Sequence, residues 1–242
     1  MKRPFFFRLL SFSALTALFV GSLAANTAIE PVPRDEKWVG RHDGFVQIAK
    51  AGGVDVLFVG DSITDGWRTK GKLLWDGHFA PLKAANFGIG GDRTQHVLWR
   101  LRNGELDGIS PKVVVLMIGT NNTGFEKDKS PRNTEKETIE GVTAVVKELR
   151  TRLPSAKILL LAVFPRGEKD SLARKQVNAV NEGIAKLHDG GAVTYLDIGQ
   201  RFLYPDGTLP KEIMPDLLHP NEVGYAIWAD AIKAPLEKLL KG

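Results

Sequence analysis

The sequence predicts an α/β domain in which a five-stranded parallel sheet is covered by helices on both faces, a three-layer αβα sandwich with right-handed crossovers. Three observations predict it. Five short apolar runs, each closed by glycine, proline or a polar residue, alternate with segments of helical periodicity, the order that builds βαβ units. The chain has 242 residues, 43% of them hydrophobic and 25% charged, enough for one substantial core and too balanced for a disordered or multi-pass membrane protein. It has no cysteine, which excludes a disulfide framework, a thiolate metal site and a cysteine nucleophile. Any nucleophile must carry oxygen or nitrogen.

Residues 1–24 stand apart from the fold. Lys2, Arg3 and Arg8 precede an uncharged stretch over 9–20, and Ser22-Leu23-Ala24 offers small residues for cleavage, the pattern of a secretory signal peptide. The apolar run is shorter than the roughly 20 residues that span a bilayer. A secreted or periplasmic location is therefore expected, with no stable membrane insertion after cleavage. The formal net charge of +5 includes those three cations, so the remainder carries only about +2. No basic cluster interleaved with aromatics is left to recognise nucleic acid.

Residues 25–33, with Pro31 and Pro33, read as an extended lead-in, and 34–242 as one domain. Buried strands are expected at 54–59, 84–87, 113–118, 158–164 and 193–196. Helices are expected at 37–51, 95–102, 134–153, 171–188 and 221–240; Val142, Val145, Val146 and Leu149 are spaced to form one apolar face. In such a sheet ligands bind at the carboxyl ends of the strands. The polar motifs fall there.

The first strand runs into Gly60-Asp61-Ser62-Ile63-Thr64-Asp65. A serine between a buried strand and a helix start can present its hydroxyl and its backbone N–H to one crevice; the plainer reading makes Asp61, Ser62 and Thr64 helix caps. The second runs into Gly88-Ile89-Gly90-Gly91-Asp92-Arg93, where glycines let the backbone approach a ligand. A phosphate cradle is the competing reading, but neither the P-loop nor the dinucleotide fingerprint is present. The third runs into Gly119-Thr120-Asn121-Asn122, whose carboxamide can either donate to a developing negative charge or shape a turn.

The fourth motif, Asp216-Leu217-Leu218-His219, precedes the last helix. A single turn brings the carboxylate to Nδ1 of the imidazole and leaves Nε2 to face a nucleophile. His42, His78, His96 and His188 have no comparable partner and read as non-catalytic. No third ligand completes a metal site with Asp216 and His219, and no facing carboxylate pair suggests glycosidase chemistry. No metal and no cofactor is expected.

Together these four blocks resemble the SGNH, or GDSL-type, hydrolase family, in the family's order and over most of the chain. The stretch from Asn86 to Leu101, with 115–122 and Pro165-Arg166-Gly167, looks especially like the catalytic subunits of type I platelet-activating factor acetylhydrolase. The resemblance implies a flavodoxin-like three-layer fold and a serine esterase that releases short acyl groups, above all acetate. It assigns Ser62 as nucleophile, His219 as general base, Asp216 as its partner, and Ser62, Gly91 and Asn121 as the oxyanion hole. Ile63 departs from the leucine of the family's name, and the export signal departs from the intracellular animal enzymes, so acetylated carbohydrate and acetylated lipid are both candidate substrates. Trp67, Leu73, Leu74, Trp75 and Phe79 either narrow the acyl pocket or fill the core; Arg93 and Arg166 either reach the mouth or lie solvated on the surface. A lysophospholipase or thioesterase with a longer acyl pocket, and a non-catalytic carbohydrate-binding module, are the alternatives.

Overall fold

The computed structural model describes residues 25–241; the expected signal peptide over 1–24 lies outside the described residues. The chain forms helix α1 (Glu36–Ala51), strand β1 (Val56–Gly60), the short helices α2 (Ser62–Asp65) and α3 (Lys72–His78), β2 (Ala84–Gly88) and α4 (Thr94–Arg102). It continues with β3 (Val113–Met117), α5 (Glu135–Arg152), β4 (Lys157–Leu161), α6 (Leu172–Ile184), β5 (Val193–Leu196) and α7 (Glu222–Lys241). The five strands form one parallel sheet in the order β2-β1-β3-β4-β5, the doubly wound arrangement with its switch point between β1 and β3.

The strands are apolar on both sides because helices cover both. Leu57, Val59, Val114, Leu116, Ile158 and Leu160 face α1, α4, α5 and α6 across one core. Their neighbours Val56, Phe58, Val113, Val115, Leu159 and Leu161 face α7 and the segment 67–79 across the other. This period-two division is what a buried parallel strand requires.

Helices α1, α5 and α6 each begin at a side-chain cap. Asp35 accepts from Trp38 N at 2.9 Å, and Thr134 and Glu137 form a reciprocal capping box at the start of α5. Two differences from expectation have local causes. The apolar run 158–164 leaves the ladder at Leu161, because its partner β5 ends at Leu196; Ala162 to Phe164 stay buried as a loop that leads to Pro165. The lead-in is not wholly extended either: Asn26 caps a 3-10 turn at Thr27–Ile29, and the buried Ala28 accepts a hydrogen bond from Thr94 Oγ1 through its carbonyl, which fastens the segment onto α4.

Candidate active site

The crevice lies where β2, β1 and β3, three adjacent strands, run out. Gly60 ends β1 so tightly that a Cβ there would sit 2.5 Å from Met117 O and 2.2 Å from Thr64 Oγ1, and one on Gly88 would sit 2.4 Å from Asp65 N. Both positions therefore demand glycine, and the demand presses α2 against the sheet edge. Asp61 accepts from Ile63 N at 2.9 Å as the helix cap, and Ser62 occupies the first helical position. Capping and the presentation of Ser62 coexist, on different residues.

Ser62 Oγ lies 2.9 Å from His219 Nε2, across 157 residues of sequence. His219 Nδ1 lies 2.6 Å from Asp216 Oδ2, while Asp216 Oδ1 accepts from the backbone N–H groups of Leu218 (3.0 Å) and His219 (2.7 Å). With Nδ1 donating to the carboxylate, Nε2 is the acceptor facing the serine hydroxyl. The turn that achieves this places Leu217 at φ 57°, a left-handed conformation that costs a side-chain-bearing residue about 1–2 kcal/mol, and Leu217 O is tied down by Gly167 N at 2.8 Å.

The second glycine segment folds over the serine. A Cβ on Gly90 would lie 3.7 Å from Ser62 Cβ; Gly91 has φ +79°, and a Cβ there would come within 3.3 Å of the Arg34 guanidinium. Among the described residues the N–H groups of Ser62 and Gly91 meet no protein acceptor. Asn121 holds one amide hydrogen on Asp92 O at 3.0 Å, which fixes its carboxamide beside this segment. Its neighbour Asn122 is fully buried and donates to Thr94, Gln95 and Asn133, a structural role.

Asp92, from the second motif, and residues that no motif singled out hold this arrangement. Asp92 is fully buried and takes hydrogen bonds from Trp38 Nε1 (2.6 Å), Arg34 Nη1 (3.2 Å) and Arg100 Nε (2.9 Å), and Arg34 also donates to Gly90 O at 2.7 Å. Arg100, fully buried, bonds Glu105 as well; burial opposes its charge, but the Glu105 and Asp92 carboxylates outweigh it and raise its pKa. No run or spacing in the chain marks these residues, which come together only in the folded domain.

Burial pushes the Asp61 carboxyl up to about 7, with Asp92 adding to the rise and His219 and Arg166 opposing it. Partial burial also works against ionisation of Asp216, but the hydrogen bonds from His219 and Leu218 outweigh it and leave the carboxyl below its ordinary range. The aromatic segment after the serine is core: Trp67 and Phe79 are buried with Tyr225 and Trp228, Leu74 and Trp75 pack against them, and Leu73 is 88% exposed. Neither arginine is solvated surface. Arg93 pairs with Glu126 at 2.5 Å, and the half-buried Arg166 donates to Thr120 O at 2.8 Å.

The sequence model of the GDSL-like lipase/acylhydrolase family matches residues 58–227, a span that contains Ser62, Gly91, Asn121, Asp216 and His219. The chain belongs to that family. As a GDSL-like enzyme it is a hydrolase of the acyl-ester class, and its αβα fold is the one expected of the family. The rat (Rattus norvegicus) platelet-activating factor acetylhydrolase IB subunit alpha2 is 41% identical over 214 residues, covering 88% of this chain and 87% of the relative. The human (Homo sapiens) subunit alpha2 matches at the same identity and coverage. Among solved structures, a GDSL-like lipase from Bacteroides thetaiotaomicron superposes with a TM-score of 0.65 at 21% identity, over 84% of this chain and 96% of the other. The acetyl xylan esterase AlAXEase superposes with a TM-score of 0.62 at 22% identity, over 75% and 98%. These two likenesses speak for the fold.

Proposed function

We propose that the protein is a serine esterase that hydrolyses short-chain esters, acetyl esters first, through an acyl-serine intermediate. The observation that carries this reading is the unbroken relay from Ser62 Oγ to His219 Nε2 (2.9 Å) and from His219 Nδ1 to Asp216 Oδ2 (2.6 Å), opening onto two uncommitted backbone N–H groups.

In the reaction Ser62 Oγ attacks the ester carbonyl as its proton passes to His219 Nε2. Asp216, held ionised by its hydrogen bonds, steadies the imidazolium. The carbonyl oxygen becomes an oxyanion held by the N–H groups of Ser62 and Gly91 and by the free amide hydrogen of Asn121. On collapse the bond to the alcohol oxygen breaks, the alcohol leaves with the proton from His219, and an acyl-serine remains. Water, deprotonated by the same histidine, attacks the acyl carbon; the acid departs and Ser62 regains its proton.

The acetyl preference rests on kinship: relatives at 41% identity are named for acetylhydrolase activity, and a structural neighbour for acetyl xylan esterase activity. Residues 1–24 act, in this reading, as an export signal ahead of one hydrolase domain over 34–242, which places the enzyme outside the cytoplasm. The test is a series of p-nitrophenyl acetate, butyrate and octanoate with the mature protein and Ser62→Ala. Acetate is expected to be fastest, and Ser62→Ala to lose all but a residue of the rate. Octanoate as the best substrate would favour a lysophospholipase or thioesterase instead.

A further inference from the structure

Beside the Gly91–Asn121 side of the crevice lies a basin of about 580 Å³ whose walls carry Arg34, Arg93, Lys127 and Arg132. We propose that this basin binds an anionic group, carboxylate or phosphate, carried on the alcohol half of the ester substrate. The inference rests on the esterase reading above and deepens it: with an acetyl group as the acyl half, any charge near the basin belongs to the leaving alcohol.

The basin is built rather than incidental. Its outer wall is a closed lobe in which Glu126 N donates to Ser130 O at 2.8 Å, Arg132 N donates to Gly124 O at 2.9 Å, and Phe125 bridges Pro131 antiparallel. The lobe is hung on the site itself, because Arg132 Nη1 donates to Asn121 O at 3.0 Å. An occupant of the basin therefore lies next to two of the proposed oxyanion donors.

The charges do not cancel. Arg34 is committed to Asp92 and Gly90, and Arg93 to Glu126. Arg132 Nε is buried and makes no hydrogen bond, its nearest carboxylate oxygen, on Glu126, being 3.6 Å away. No carboxylate among the described residues lies within salt-bridge distance of Lys127. Asp128, the remaining acid of the wall, is turned to Ser130 N and Oγ at 3.0 and 2.6 Å.

His96 reports the same positive field. Burial, then Arg34, Arg93 and Arg100, push its pKa down to about 3, so it lines the basin as a neutral ring. Its Nδ1 accepts from Arg93 N at 3.0 Å, which puts the ring proton on Nε2 as a further donor. Guanidinium groups that outnumber the carboxylates of the same wall, a lysine without a carboxylate partner and a neutral N–H donor around one cavity are the donor set that a carboxylate or phosphate requires.

The test uses two matched pairs of acetyl esters: acetylated methyl glucuronoside against acetylated methyl glucoside, and acetylglycerol 3-phosphate against acetylglycerol. In at least one pair the wild-type enzyme is expected to favour the anionic ester in kcat/KM by about 10-fold or more at low salt, the worth of one charge-assisted hydrogen bond. That ratio is expected to sink toward unity near 0.5 M salt. It is also expected to fall about threefold in the exposed Lys127→Gln and to near unity in Lys127→Gln/Arg93→Gln, while Lys233→Gln on α7 keeps the wild-type value. The pair with the larger ratio identifies the anion as carboxylate or phosphate. A wild-type ratio near one in both pairs, or a ratio untouched by the Lys127 variants, overturns the inference and leaves the esterase reading standing. Absence of Ser62-dependent hydrolysis of all four esters overturns that reading and the inference together.

Discussion

Asp61 and Ser62 are consecutive, yet burial treats them differently. Ser62 reaches the crevice, while Asp61 is sealed beneath it, with a carboxyl raised to about 7 and a cap bond to Ile63 N. Because the folded pKa lies above that of an unfolded aspartate, the folded state binds the extra proton between about pH 4 and pH 7. Its stabilising contribution is complete below about pH 4 and is lost as pH rises toward 7. Asp61→Asn keeps an oxygen for the cap and removes the titration. Thermal melts should show the variant gaining at least about 2 °C over wild type at pH 8, with the gain vanishing near pH 4; an equal shift at both values would place the pKa elsewhere. At this scale the motifs were legible as residue types, and the fold brings Ser62, His219 and Asp216 into one hydrogen-bonded chain with Gly91 and Asn121 beside it. It was silent on Arg34, Lys127 and Arg132, because a surface arginine and a site arginine have the same spelling until the loop that carries them is folded.

Helix α5 shows how one element serves both packing and site. Val142, Val145, Val146 and Leu149 form the apolar face that the periodicity predicts, and all are buried. Gly141, immediately before them, would usually weaken a helix by about 1 kcal/mol relative to alanine. Here a Cβ would lie 2.4 Å from Thr94 Oγ1 and 3.0 Å from Ala28 Cβ, and that hydroxyl holds the lead-in and Asn122. Gly141→Ala should therefore destabilise the fold by about 1–3 kcal/mol, the usual cost of overpacking, and denaturant unfolding would register it; a gain in stability would mean that α4 and α5 pack less closely than this. All five strands and the five long helices were readable, to within a few residues at their ends, because their apolar periods match their burial. The four-residue α2 and seven-residue α3 were not, being shorter than a periodicity can reveal. The aromatic residues around them, Trp67, Trp75 and Phe79, were legible only as a choice between pocket and core, which packing against Tyr225 and Trp228 of α7 decides for the core.

For the molecule as a whole, the order β2-β1-β3-β4-β5 is what converts four scattered motifs into one site. Alternation of strands and helices announces a parallel sheet, but it does not say which strands are neighbours. Once β1 lies between β2 and β3, their ends must share a crevice, and the loop before α7 needs only to bring His219 over Ser62. The buried Asp92–Arg100–Glu105 cluster belongs to this level too: it joins segments whose charges make no pattern in the chain, and it becomes intelligible only with the sheet assembled around it. The central claim is that Ser62, activated by His219, is the nucleophile. It is tested most directly by treating the mature protein with a fluorophosphonate and locating the adduct by peptide mass. One adduct is expected, on Ser62, formed far more slowly in His219→Ala and about 10²- to 10³-fold more slowly in Asn121→Ala, the loss typical of a proposed oxyanion donor. An adduct on another residue, or full labelling of Ser62→Ala, would contradict it.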